Sequence, residues 1–146
     1  MIRVLMVCHG NICRSPMAEF LMRELALRRG VSESLTVASA ATSTEELGNP
    51  VYPPARRKLA EHGISCDGKR AVQLRRADYQ RYDYILYMDA WNRRNILRIL
   101  GSDPEHKVQP LLQDREVADP WYTGDFETAC RDILEGCEAW LDRLFA

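Results

Sequence analysis

The chain opens on Ile2-Arg3-Val4-Leu5-Met6-Val7 and runs straight into Cys8-His9-Gly10-Asn11-Ile12-Cys13-Arg14-Ser15-Pro16. The first stretch is almost wholly apolar, the pattern of a strand buried on both faces, as in parallel sheets. Met17, Phe20, Leu21, Leu25 and Leu27 then form an apolar band that ends at Gly30. A helix is therefore expected directly after the loop, with Ser15 as its N-cap and Pro16 at its first position. Strand, tight loop and helix in that order open an α/β fold.

The pattern continues outward. Residues 35–40, 84–88 and 108–111 read as further strands, the last short or irregular because Pro110 interrupts it. Helices are expected over 55–62, closed by Gly63, over 75–79, over 91–100, stopped by Gly101, and over 125–145. Residues 42–54 read as a loop rich in Gly and Pro. Alternating strands and helices predict a parallel sheet covered by helices on both faces. Ligands of such sheets bind beyond the carboxyl ends of the strands. That rule would gather the Cys8 loop, residues 41–50 and Asp89, with the Asp119 loop a further candidate.

Size and charge narrow the partners. The 146 residues suit one domain, with neither repeat nor linker. With 20 basic and 21 acidic residues the formal net charge is -1, so no global field recruits nucleic acid or membrane. Arg28-Arg29, Arg56-Arg57-Lys58 and Arg75-Arg76 read as solvated surface. No apolar run approaches the roughly 20 residues of a membrane span, and the start lacks the pattern of an export signal. A cytoplasmic protein is expected. Five cysteines, without a small secreted framework, point to a reducing compartment rather than a disulfide scaffold. Their spacing, with only three histidines, gives no metal site. Cys130 and Cys137 read as buried small hydrophobes on one side of the last helix, and Cys66 as buried or simply exposed.

The chemistry lies in the loop. Amides from His9 to Arg14, through Gly10, Asn11, Ile12 and Cys13, can form a nest for a tetrahedral oxyanion, with the positive end of the following helix behind it. Arg14 adds a planar fork for two oxygens. The same positive groups favour the thiolate of Cys8, which becomes a nucleophile facing the anion. Gly10 lets the backbone approach without a side-chain clash, and Asn11 tolerates left-handed geometry while tying the loop together. Ser15 can donate to the thiolate and ease its departure in a second step. Cys13 either packs against the loop or traps an oxidised Cys8 as a disulfide. Phosphate-ester chemistry on cysteine also needs a proton donor for the leaving oxygen. Asp119-Pro120-Trp121-Tyr122 offers one on a stiffened, aromatic-flanked loop. Asp119 is therefore preferred to Asp114, Glu116 and Asp125, and Trp121 and Tyr122 could line a cleft for an aryl group.

These residues resemble the low-molecular-weight protein tyrosine phosphatases over nearly the whole chain. Residues 7–19 carry the most specific motif, followed by Ser39-Ala40-Ala41-Thr42-Ser43, Gly48-Asn49-Pro50, His62-Gly63-Ile64, Met88-Asp89, Asp119-Pro120 and Asp125-Phe126-Glu127-Thr128. The resemblance implies a three-layer α/β/α sandwich around a four-stranded parallel sheet. It also implies hydrolysis of phosphotyrosine monoesters through a phosphocysteine, without a cofactor. Its substrate would be a phosphotyrosine-containing protein, with a tyrosine kinase among the candidates; no feature points to an oligomeric state. Cys8 matches the nucleophile, Arg14 the phosphate clamp and Asp119 the general acid. Asn11, Ser15 and Ser39 match the supporting hydrogen-bond network, and Cys13 the redox-protective cysteine.

Three positions depart from the family pattern. Lys69 stands where many members brace the loop asparagine with a histidine, and its ammonium is expected to donate a similar bond. Val72 replaces a usual arginine. Glu45 stands where mammalian-type members put an aromatic wall of the substrate cleft, adding a carboxylate that would favour basic or neutral flanking residues. Two rivals use the same loop. A thiol-dependent arsenate reductase would need resolving cysteines able to reach Cys8, which Cys66, Cys130 and Cys137 are poorly placed to supply. A silent phosphotyrosine-binding module would be expected to lose Cys8, Arg14 or Asp119, and all three are present.

Overall fold

The apolar opening forms β1 (Ile2–Cys8), and the sheet is built around it. The computed structural model describes residues 1–146. After β1 come α1 (Arg14–Arg28), a short 3-10 turn (Ser32–Ser34), β2 (Leu35–Ala41), α2 (Pro53–Glu61) and α3 (Asp78–Arg81). β3 (Tyr84–Tyr87), α4 (Ala90–Leu100), β4 (Val108–Pro110), α5 (Pro120–Thr123) and α6 (Phe126–Leu144) complete the chain. The four strands lie in the order β2-β1-β3-β4 and all pair in parallel. In register, Val4 sits between Val37 and Tyr84.

Strand alternation divides the core into two. Val4, Met6 and Cys8 point to one face, where Met17, Leu21 and Met22 of α1 meet Ile133, Trp140 and Leu141 of α6. Leu5 and Val7 point to the other face, against Tyr79 of α3 and Ile96 and Leu100 of α4. The result is the expected α/β/α sandwich with a four-stranded parallel sheet. Cys8, last residue of the central strand, emerges at the carboxyl edge next to the start of α1. No helix is long and apolar enough to cross a membrane.

Local structure corrects several boundaries. The N-cap of α1 is Cys13, with no side-chain capping bond, and Ser15 already lies inside the helix. The Ser15 hydroxyl is turned instead toward Cys8, so the helix starts as soon as the loop closes and Pro16 falls two residues later than expected. α3 begins at Asp78 rather than 75, because the Asp78 carboxylate accepts from the Arg75 amide at 2.8 Å and holds the preceding residues in a turn. Asp119-Pro120 starts a short helix, α5, where a loop was expected: Asp119 accepts from the Trp121 amide at 3.0 Å, and Pro120 occupies the first turn.

α6 is fixed against the far edge of the sheet by two contacts. The Trp140 indole N–H donates to the Pro110 carbonyl at 3.0 Å. Gly136 lies so near Leu111 that an added Cβ would stand 2.7 Å from its Cγ and 3.0 Å from its carbonyl oxygen. Alanine normally gains about 1 kcal/mol over glycine inside a helix, whereas overpacking costs roughly 1–3 kcal/mol. Gly136→Ala should therefore lose about 1 kcal/mol net in urea unfolding. A gain in stability instead would mean that α6 is free to slide off Leu111.

Candidate active site

The loop between β1 and α1 is held from outside by its carbonyls. Cys8, His9 and Ile12 carbonyls accept from the amides of Thr42, Ser43 and Tyr52 at 2.9, 3.0 and 2.9 Å. By contrast, the amides of residues 10–14 donate to no group of the protein. A buried backbone donor left unpaired is costly, so a run of them can receive an anion. The start of α1, without a side-chain cap, contributes in the same sense. The Ser15 amide approaches Cys8 Sγ at 3.4 Å. Asn11 takes the left-handed conformation foreseen for it, with φ 60°. A Cβ built on Gly10 would make only ordinary contacts, 3.5 Å to Glu46 and 3.8 Å to Ile12. The protein around Gly10 therefore places no steric demand for glycine there.

Beneath the loop a chain of buried polar groups ends at sulfur. Val72 N–H donates to Asn11 Oδ1 at 3.1 Å, which turns the Asn11 amide nitrogen toward two serines. That nitrogen donates to Ser15 Oγ at 2.7 Å and to Ser39 Oγ at 3.0 Å. Ser15 thus receives a hydrogen bond and has its own proton left for Cys8 Sγ, 3.0 Å away. Ser39 in turn donates to the buried carboxylate of Glu19 at 2.5 Å. Lys69 does not touch Asn11, contrary to expectation. Its ammonium donates to the Ser39 carbonyl at 2.9 Å and stands 3.8 Å from Glu19.

Arg14 is almost fully enclosed, with 2 % of its side chain exposed. One nitrogen donates to Asp89 Oδ2 at 2.7 Å and to the Val117 carbonyl at 2.9 Å; the other reaches Asp119 Oδ2 at 3.3 Å. Burial works against its charge. Cys8, the bond to Asp89 and the charge of Asp119 more than offset that, and the guanidinium is held protonated more firmly than usual. Both carboxylates do double duty. Asp89 caps α4 through the Asn92 amide at 2.8 Å, and Asp119 caps α5. Sequence reasoning placed Asp89 near the site without seeing this role, although Asp89 followed by Asn92 is a capping pattern. The Val117 carbonyl had no sequence signal at all.

Cys8, His9, Gly10, Ile12, Cys13 and Arg14 line one cleft, together with Glu45, Asp119, Trp121 and Tyr122. The structure thus brings the expected wall residues together. Glu46, which was not foreseen, lines it as well and accepts from the Asn49 side chain at 2.6 Å. Glu45 is not a lone carboxylate: His9 Nε2 stands 3.0 Å from its Oε2, within hydrogen-bond distance. Trp121 leans on Tyr52, ring centroids 4.7 Å apart, and Tyr52 is itself tied to the loop through Ile12. Tyr122 stands out in solvent, 81 % exposed. Cys13 is buried; burial, then the charges of Cys8 and Asp119, push its thiol up to about 12. Cys66, Cys130 and Cys137 are also buried and unbridged, Cys130 beside His62 and Cys137 against the Ala18 carbonyl of α1.

Comparison with known proteins gives this arrangement a family. A family model described as low molecular weight phosphotyrosine protein phosphatase matches residues 3–146. The chain belongs to the low-molecular-weight protein tyrosine phosphatases. This phosphatase is 40 % identical over 147 residues to the low molecular weight protein-tyrosine-phosphatase YfkJ of Bacillus subtilis, covering 97 % of the chain and 94 % of the relative. It is 37 % identical to the low molecular weight phosphotyrosine protein phosphatase of Rattus norvegicus, covering 96 % and 94 %. The crystal structure of YfkJ superposes with a TM-score of 0.93, covering 100 % of this chain and 98 % of that one at 37 % identity. A low molecular weight protein tyrosine phosphatase from Streptococcus pyogenes superposes with 0.92, at 37 % identity and with 100 % and 95 % covered.

Asn11 of the phosphatase separates backbone strain from hydrogen bonding. Asn11→Ala loses three side-chain bonds and adds a left-handed strain of roughly 1 kcal/mol; Asn11→Gly loses the bonds alone. Both should weaken orthovanadate binding by about tenfold or more. The alanine variant should melt at the lower temperature. Equal melting temperatures in calorimetry would remove strain from the account.

Proposed function

We propose that this phosphatase cleaves phosphotyrosine esters of proteins in two steps on Cys8, with residues 1–146 acting as one catalytic domain. In the first step the Cys8 thiolate attacks phosphorus, an S–P bond forms and the P–O bond to tyrosine breaks. Asp119 gives its proton to the leaving oxygen. In the second, water attacks the phosphocysteine while Asp119 takes one of its protons. The S–P bond then breaks, thiolate is regenerated and inorganic phosphate leaves. Arg14 and the uncommitted amides take up the charge on the equatorial oxygens in both steps. Ser15 steadies the departing thiolate. The observation that carries this reading is the row of free amides around Cys8, with Arg14 and Asp119 in contact at its mouth.

The aryl group would leave the cleft between Trp121 and the His9–Glu45 pair. Glu45, with His9 Nε2 beside it, would favour basic or neutral residues flanking the phosphotyrosine. The substrate is a phosphotyrosyl protein, for which a tyrosine kinase is a chemically suitable case. Five unbridged thiols accord with a cytoplasmic setting.

Cys8→Ser should abolish hydrolysis of p-nitrophenyl phosphate. Asp119→Ala should slow a phosphotyrosyl peptide by about 10²–10⁴-fold. The loss should be smaller for p-nitrophenyl phosphate, whose leaving group needs little protonation. Equal losses with both substrates would remove Asp119 as the proton donor.

Cys13 supports a second, coexisting reading, a redox guard. Peroxide converts the Cys8 thiolate to a sulfenic acid; Cys13 sulfur displaces its hydroxyl, a disulfide forms and water leaves. Oxidation also removes the Cys8 charge, the second of the causes that hold Cys13 protonated. After mild peroxide, mass spectrometry should find Cys8 and Cys13 linked. Stable sulfinic acid on Cys8 would count against the guard.

A further inference from the structure

Lys69 is a largely enclosed cation that the proposed chemistry does not use. Its side chain is 13 % exposed and that of Glu19, opposite it, 5 %. Burial lowers the affinity of Lys69 for its proton; Glu19 opposes this, Arg23 adds to it, and the negative charge of Cys8 again opposes it. An ammonium in such a place is expensive unless paired and hydrogen-bonded. Its partners here are the Ser39 carbonyl at 2.9 Å and, at 3.8 Å, the Glu19 oxygen that receives the Ser39 hydroxyl.

The surroundings of Lys69 define its leverage. Residues 69–74 run beside the end of β2: the Ala41 amide donates to the Val72 carbonyl at 2.7 Å, and the Leu74 amide to the Ala41 carbonyl at 2.8 Å. One end of this segment grips Ser39 through the Lys69 ammonium. Three residues on, Val72 N–H grips Asn11. Ser39 and Asn11 are joined to each other, and Asn11 to Ser15, which faces Cys8. Glu19 completes the logic. As a carboxylate it only accepts, so the Ser39 proton points to it and a Ser39 lone pair remains for Asn11. Arg23 is the other cation on Glu19, at 2.7 Å, but it is half exposed and holds the outer oxygen.

We propose that Lys69 is a positioning residue for Cys8: by holding the Ser39 carbonyl and balancing Glu19, it sets the donor direction along Ser39, Asn11 and Ser15 that leaves the Ser15 proton for sulfur. Lys69 thereby stabilises the thiolate both before attack and as leaving group of the second step. The proposal rests on the reading of Cys8 as the nucleophile. It differs from direct bracing of Asn11, because the ammonium acts one link further back, through Ser39.

Three variants separate the elements: Lys69→Met removes bond and charge, Lys69→Gln keeps a donor, and Lys69→Arg keeps both. The readouts are steady-state and burst kinetics with p-nitrophenyl phosphate, and iodoacetamide alkylation of Cys8 at fixed neutral pH. Nitrophenolate leaves readily, so thiolate departure limits turnover and the effect falls on kcat. Lys69→Met should lower kcat about five- to tenfold, with KM within about twofold of wild type. Alkylation should slow by a similar factor, Lys69→Gln should fall between, and Lys69→Arg should restore most of both rates. Unchanged kcat and alkylation in Lys69→Met would overturn the proposal, as would equal losses in the arginine and methionine variants. If Lys69→Met fails to fold by circular dichroism, the ranking of the glutamine and arginine variants decides the matter. A wild-type chain that hydrolyses no aryl phosphate would refute the phosphatase mechanism, while the alkylation rates would still decide the role of Lys69.

Discussion

The proposed anion receptor is made of backbone and requires amides that are not used by the protein, and the rest of the site follows from that constraint. Residues 10–14 keep their N–H groups uncommitted in a region where buried donors are normally paired. Left alone, such a loop would collapse onto its own carbonyls and continue the helix. It is prevented from doing so by ties on the opposite side: three carbonyls are taken by Thr42, Ser43 and Tyr52, and the side chain of the left-handed Asn11 is held by Val72. Those ties come from the segments that follow β2, which explains why the carboxyl edge of the sheet, rather than the loop alone, makes the site.

Charge follows the same economy. Arg14 lies deep enough that desolvation opposes its ionisation, yet it stays cationic because Cys8, Asp89 and Asp119 surround it. Each of those carboxylates also caps a helix, so the clamp, the proposed acid and the local backbone are coupled. On the far side of Cys8, the pair formed by Lys69 and Glu19 lies under the hydrogen-bond chain. The proposed nucleophile is thus set between two cations, the buried Arg14 in reach of the substrate and the part-buried Lys69 acting through Ser39 and Asn11.

The cleft rim departs from the mammalian-type pattern at Glu45. Where an aromatic wall would offer a flat apolar face, this chain presents His9 joined to Glu45, with Glu46 alongside. The aromatic surface is kept on one side only, by Trp121 resting on Tyr52. The floor of the site and its rim therefore obey different demands: the floor must match a phosphoryl group, and the rim the protein that bears it.

The strand–loop–helix opening was legible in residues 2–30 because burial on both faces, a Gly-Asn turn and a helical apolar band are local patterns. The alternation of elements then gave the layered sheet, the motif spacing marked Cys8 and Arg14 as candidates, and the Pro-stiffened, aromatic-flanked loop marked Asp119. Helix starts were less legible. Ser15 and Asp119 are both good capping residues, and composition cannot say that one turns its hydroxyl to sulfur while the other caps. Only the tertiary structure decided the long-range pairings: Asp89 and Val117 on Arg14, Lys69 on Ser39, His9 on Glu45. These join residues 30 to 103 positions apart. Contacts of that kind depend on which loops the parallel sheet delivers to its carboxyl edge, and no local pattern of side chains encodes that delivery.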